Sequence, residues 1–277
     1  MNDVFTSALK NQGRSLMAML MAEYSARVSK RSLGIVEEIF SLGVVAGSML
    51  VLRLMSGAPT HHGMPVFPFV LSGLVLFWMF RTTLFRVSSF KTAKAGFRNN
   101  PRVTALDVLA ARGILNVIFY IFLGFPIFLT LYFLDLSPFM SNPGEVFLIM
   151  VLMGIWGISL GLCFGALFLY MPFMRLVVQG MMMMLMWVSG VMFIWAEAPY
   201  MLRWLIIYNP IFHFMELMRS AYFGSYVTPV GDWSFVLTTV AVSLALGLML
   251  ERVTRKRAEN AVQRQAADDD AFDGEMA

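Results

Sequence analysis

Six apolar stretches, at about 35–55, 66–86, 107–134, 145–169, 173–195 and 233–250, run through this chain of 277 residues. Each is close to or longer than the roughly 20 apolar residues that a helix needs to cross a bilayer core. A β-barrel strand is instead short and alternates in polarity, whereas Gly113–Leu134 is apolar on every face. Composition agrees: 58% of residues are hydrophobic and 14% charged, and the mean hydropathy is +0.71, while a soluble domain carries about a quarter charged residues. The expected fold is an all-α membrane protein of six transmembrane helices.

Lysine and arginine set the expected orientation, because loops rich in them stay in the cytoplasm. Lys10, Arg14, Arg27, Lys30 and Arg31 precede the first span. Arg81, Arg86, Lys91, Lys94, Arg98 and Arg102 join the second to the third, Arg175 follows the fourth, and Arg252, Arg255, Lys256, Arg257 and Arg264 follow the sixth. The opposite side holds Arg53, Arg203 and Arg219. Both termini are therefore expected in the cytoplasm. No signal-peptide pattern precedes Arg27, so the first span is expected to be retained.

Three units follow: an interfacial helix over 1–34, a six-span domain over 35–250, and a cytoplasmic tail over 251–277. Leu16, Met17, Leu20, Met21 and Tyr24 recur at helical spacing among basic residues, which suits a helix lying on the membrane surface or a polybasic anchor. After Arg257 the chain turns acidic through Asp268, Asp269, Asp270, Asp273 and Glu275, and a disordered tail is expected.

The stretch Ala196–Asp232 is too long for a turn. Tyr200–Tyr208 and Ile211–Tyr226 read as two short helices at the periplasmic leaflet, a re-entrant pair between spans five and six. Asn209-Pro210 caps the second and opens its first turn. His213, Glu216 and Arg219 then recur every third residue along one side, where Glu216 can pair with either neighbour. Such a polar strip suits a periplasmic gate, or else a pair of charges that simply neutralise each other. Gly157, Gly161 and Gly165, and likewise Gly43 and Gly47, form small-residue stripes for close helix packing. The methionines Met181–Met184 and Met186 suit core filling or a pliable wall.

Several classes are excluded or disfavoured. Ionisable residues near the spans, Glu37, Glu38, Asp107 and Arg112, lie toward span ends, which argues against an ion-coupled carrier. No Gly-Lys pair occurs, so the chain has no phosphate-cradling loop of its own. Cys163 is a lone cysteine, and His61, His62 and His213 make no convincing metal set. No catalytic constellation is visible, and no nucleic-acid partner is expected.

The order of further motifs resembles the membrane permease of type-2 ABC exporters, and within it the inner-membrane permease for capsular polysaccharide. Glu23, Arg27, Lys30, Leu33 and Gly34 lead into the first span. Phe67-Pro68, Gly73-Leu74, Phe77, Trp78 and Phe80 mark the second, and Asp107, Ala111 and Arg112 the third. Asn209-Pro210, His213, Glu216, Arg219 and Gly224-Ser225-Tyr226 precede the last. The chain departs from the pattern at Ser41-Leu42, where a glutamate-proline is expected.

The resemblance implies a homodimer in the bacterial inner membrane, bound to two ATPase subunits that hold ATP and Mg, and moving a lipid-linked polysaccharide to the periplasm. An adaptor and an outer-membrane conduit would continue the path, and this chain would carry no cofactor. On that footing the segment Ser88–Arg102, with Lys91, Lys94, Arg98 and Arg102, is expected to couple to the ATPase. Phe77, Trp78, Phe80 and Trp187 are expected along an aromatic sugar path. Rival readings are a related exporter of O-antigen, teichoic acid, lipid or drug, and a membrane scaffold or enzyme.

Overall fold

A computed structural model describes residues 17, 20, 21, 32–55, 60–90 and 104–275, with side chains placed at 17, 20, 21, 39–52, 55, 62–90 and 104–255. Nearly all of the expected interfacial helix over 1–34, and the expected coupling residues Lys91, Lys94, Arg98 and Arg102, lie outside the described residues.

The described residues are mostly helical. Helix α1 spans Ser32–Met55 and is followed by a two-stranded hairpin, β1 at Thr60–His61 and β2 at Met64–Pro65. His62 and Gly63 turn that hairpin with φ of 49° and 81°, the left-handed pair that a two-residue hairpin loop requires. Then come α2 (Val66–Val87), α3 (Ala105–Phe133), α4 (Pro143–Tyr170), α5 (Met174–Val188), α6 (Arg203–Ile206), α7 (Pro210–Tyr222) and α8 (Trp233–Glu275). Short 3-10 turns at Trp195–Glu197 and Tyr200–Leu202 lie between α5 and α6.

Among the described residues, four helices are long and apolar enough to cross a membrane: α2, α3, α4 and the Trp233–Arg255 part of α8. The described apolar stretch of α1, Ile39–Leu52, and α5 are shorter. The fifth stretch, expected over 173–195, is interrupted where Gly190 takes a φ of 76°. A left-handed residue just past the last turn ends a helix without a steric cost at glycine, and it leaves α5 with 15 residues, about 22 Å at 1.5 Å per residue. The polar tail expected to be structureless is instead a continuation of α8 to Glu275. Its alanine, arginine, glutamine and glutamate content favours helix more than its charge opposes it.

Helices α2 and α4 form the centre, with α3, α7 and α8 packed around α4 and α1 against α2. Glycine sets how closely the two central helices approach. A Cβ at Gly157 would lie 3.2 Å from the Phe80 carbonyl, one at Gly161 would lie 2.7 Å from the Val87 Cβ, and one at Gly165 would collide with the Phe90 ring. The expected packing stripe is thus a seam on α4 that seats successive turns of α2. Among the described residues, no side chain and no backbone of another segment lies within 4 Å of the Cβ position at Gly43 or Gly47. Helix α5 buries Val178, Met182 and Met186 and exposes Met181, Met183, Met184 and Trp187.

Helix α3 opens on a capping box: Thr104 Oγ1 accepts from the Asp107 N–H at 3.3 Å, and Asp107 Oδ2 accepts from the Thr104 N–H at 3.0 Å. The aspartate of the motif therefore satisfies helix-end donors.

Candidate functional site

Helix α7 carries the polar strip and is buried on nearly every face. Asn209 caps it by accepting from the Ile211 N–H at 3.1 Å, with Pro210 in the first turn. Its far end stops where Phe223 becomes extended, with φ of −104° and ψ of 112°, so the expected helix over 211–226 closes at Tyr222. There the Ala221 and Tyr222 carbonyls accept from the Asn142 and Ser141 N–H groups that lead into α4. The partner segment, expected as one helix over 200–208, consists of the 3-10 turn at Tyr200–Leu202 and the short α6.

Enclosure on all sides makes the charges on α7 a demanding feature, because a buried ion is stable only when its partners replace water. Glu216 is 0% exposed and Arg219 1%. Arg219 Nη1 lies 3.7 Å from Glu216 Oε1, one turn away. Between them they hold the loop after α5 and the connector after α7. Glu216 Oε2 accepts from the Tyr226 hydroxyl at 2.6 Å and the Thr228 hydroxyl at 2.8 Å, and Oε1 accepts from the Trp195 N–H at 3.3 Å. Thr228 Oγ1 in turn accepts from the Val230 and Gly231 N–H groups. Arg219 donates through Nη1 to the Phe193 carbonyl at 2.7 Å and through Nη2 to the Gly190 and Val191 carbonyls. Its guanidinium lies 4.0 Å from the centre of the Phe69 ring on α2.

The turn at Gly190 is thus what points three carbonyls at one arginine. Its Cβ position is also filled by the Phe212 ring of α7. Gly73 lets α2 approach the same loop, since a Cβ there would lie 3.1 Å from the Val191 carbonyl.

His213 does not join the charges. Its Nδ1 accepts from the Asp232 N–H at 3.3 Å, which leaves the proton on Nε2, 2.7 Å from the Ile207 carbonyl it donates to. The ring packs against Phe235, tilted by 34° with the centroids 4.5 Å apart. Asp232 in turn caps α8 by accepting from the Ser234 N–H at 2.8 Å. His213 therefore fastens the start of α8, Glu216 the connector after α7, and Arg219 the loop after α5. Burial and then the Glu216 carboxylate hold the Tyr226 hydroxyl above the ordinary phenol range, so it stays a donor.

Beneath this node an aromatic column runs from α7 into the bundle. Phe214 stacks on Trp156 of α4 at 5.8 Å, and Trp156 stacks on Phe80 of α2 at 4.6 Å. Of the four expected path aromatics, Phe77 and Phe80 lie in the chain's own core and Trp78 is 7% exposed, while Trp187 is 52% exposed on α5. The structure does not bring them together into one surface.

Tyr226 belongs to a motif visible in the sequence, but its bond to Glu216 is not signalled by any local spacing. Thr228, the Gly190 turn and Phe69 were not singled out, and only the apolar-to-glycine break after Val188 hints at the turn.

A sequence model of the family described as ABC-2 type transporter matches residues 14–223, from before α1 to the end of α7. The chain belongs to the ABC-2 type transporter family. This ABC-2 chain is also similar to the polysialic acid transport protein KpsM of Escherichia coli, with 26% identity over 255 residues that cover 91% of the chain and 97% of KpsM. It is 25% identical over 255 residues to the capsule polysaccharide export inner-membrane protein CtrC of Neisseria meningitidis serogroup B, covering 89% of the chain and 93% of CtrC. Family and apolar helices together make it a multi-pass membrane protein and a transport subunit.

Proposed function

We propose that this chain is the permease subunit of an ATP-driven exporter that moves capsular or related lipid-linked polysaccharide across the bacterial inner membrane. The observation that carries this reading is the near full-length similarity to a polysialic acid transport protein and a capsule polysaccharide export protein. In this reading α1 and α5 join the four longer helices as spans, and both termini face the cytoplasm with the basic segment 91–102. Two copies assemble around the polymer and bind two ATPase subunits that hold ATP and Mg, and a periplasmic adaptor and outer-membrane conduit receive the product. A twofold assembly suits a polymer path that one small bundle has no room to enclose.

The buried node supplies the periplasmic end of the mechanism. Glu216 and Arg219 fasten α7 to the segments on either side of it, so the hairpin moves as one body and closes the exit. Lys91, Lys94, Arg98 and Arg102 receive the ATPase stroke at the other end. Of the candidate aromatics, Trp187 is the one whose exposed ring is available to a passing sugar chain. The test is export in reconstituted vesicles: transport of lipid-linked polysaccharide should need this chain, its ATPase and ATP together. Transport without the ATPase, or none with all three present, contradicts the reading.

A further inference from the structure

One basic residue sits where the sequence did not place it. Arg81 belongs by its position in the chain to the run of positive charges after the second span, yet it lies inside α2, six residues before that helix ends at Val87. At 1.5 Å per residue its Cα is about 9 Å in from the basic end. The side chain is half-buried, and no acceptor among the described residues reaches its buried Nε. The guanidinium lies 5.2 Å from the centre of the Trp78 ring and 5.9 Å from that of Phe85. Rings hold a cation by their faces and leave its N–H edge unbonded. The neighbouring hydroxyls are occupied: Thr82 Oγ1 donates to the Trp78 carbonyl, and both Thr82 and Thr83 accept from Asn116 Nδ2.

An arginine inside a span is costly and is retained where something pairs with it. Among the described residues no carboxylate pairs with Arg81 as Glu216 pairs with Arg219, and its electrostatic neighbour is the Tyr120 phenol. An acceptor that suits this site is anionic, reaches about one and a half turns in from the basic end of α2, and fits a planar fork of donors. A lipid phosphate meets all three conditions.

We propose that Arg81 is a binding residue for the phosphate of a lipid seated against α2 at its basic end. The phosphate oxygens accept from the Nε and Nη edge, while Trp78 and Phe85 keep the fork in place. Two sources carry this group, a phospholipid of the bilayer and a phosphate-linked lipid anchor on the cargo. Only the second source rests on the export reading above.

Native mass spectrometry of the full chain purified with its ATPase tests the site. After lipid is stripped, phosphatidylglycerol or the phosphate-free diacylglycerol is added back. Wild-type protein should retain phosphatidylglycerol about tenfold better per subunit, the scale of one strong charge-assisted contact. Arg81→Gln should lose that preference, and Arg81→Lys, which keeps charge but not the fork, should keep part of it. Equal retention of the two lipids by wild type overturns the proposal, and so does undiminished preference in a folded Arg81→Gln protein. If that variant fails to fold, the wild-type comparison alone decides. A phospholipid-linked oligosaccharide added as competitor then separates the sources. Displacement of phosphatidylglycerol supports a cargo anchor at Arg81, and no displacement supports a bilayer lipid there. Wild-type protein that retains phosphatidylglycerol at Arg81 but exports no linked glycan would sink the export reading and leave the site standing.

Discussion

Two glutamate–arginine pairs lie at different places in this fold, and the shorter one is the weaker. Arg255 grips Glu251 with both nitrogens, at 3.1 Å and 2.9 Å, one turn apart on α8. Arg219 and Glu216 are separated by 3.7 Å. Distance alone would rank them the wrong way. Water reaches one side of this pair, since the Arg255 side chain is 37% exposed while Glu251 is 3% exposed, and so screens the attraction in part. Glu216 and Arg219 are sealed, and each is held by groups from other segments. Removal of one leaves the other, with its ring of oriented dipoles, without compensation. Burial and partner count decide the worth of an ion pair here, and the node on α7 is a clamp between segments where the pair on α8 is a local tie.

The largest expected effect is at Arg219. Arg219→Met strands three carbonyls and the Glu216 carboxylate together, and should cost about 3–5 kcal/mol, read as a fall in the thermal midpoint of detergent-solubilised protein. Glu216→Gln should cost less, about 2 kcal/mol, because the carbonyls of residues 190–193 still support Arg219 while Tyr226 and Thr228 keep one acceptor. If that variant is fully stable yet releases little polymer, the pair acts as a moving gate. Full stability with full export would leave Glu216 without either role.

Tyr226→Phe sharpens the comparison by removing one donor from Glu216, at about 1–2 kcal/mol. It also has a pH signature. The folded-state value of Tyr226 is raised, so the unfolded chain loses this proton first as pH rises past about 10, the ordinary phenol value. Stability from this group is complete below that pH and declines above it. Wild type should therefore lose more stability than Tyr226→Phe between neutral and strongly alkaline buffer, and parallel pH curves would count against the bond. The smallest effect is at the pair on α8, where solvent reaches Arg255 and Glu251→Gln keeps an acceptor, so the change should cost about 1 kcal/mol.

Much of the helical frame was legible in apolar runs, because a bilayer-length stretch leaves the backbone no alternative to helix. The end of α5 was not legible. Val188-Ser189-Gly190-Val191-Met192-Phe193 stays apolar enough to hide a turn whose cause is one glycine and whose compensation is Arg219, 29 residues away. In the tail α8 runs on through the acidic stretch, where alanine, arginine and glutamine favour helix and aspartate does not. At the site, Glu216 and Arg219 were visible through their three-residue spacing, and the capping pair Asn209-Pro210 through its chemistry. The separation of His213 from the charges depends on Asp232 and Ile207, contacts that no spacing within α7 encodes. Arg81 was read as part of a cytoplasmic basic run because a sequence does not show where a helix ends to within a turn.

The most direct test is a double-mutant cycle over Glu216→Gln and Arg219→Met, run beside the same cycle at Glu251 and Arg255, with unfolding free energy and polymer export measured on each protein. Burial of both partners and their shared neighbours predict a coupling above about 1.5 kcal/mol at 216 and 219 and a smaller one at 251 and 255, where solvent reaches Arg255, with export lost along the first cycle only. Equal couplings, or a larger one at the pair on α8, would contradict the clamp.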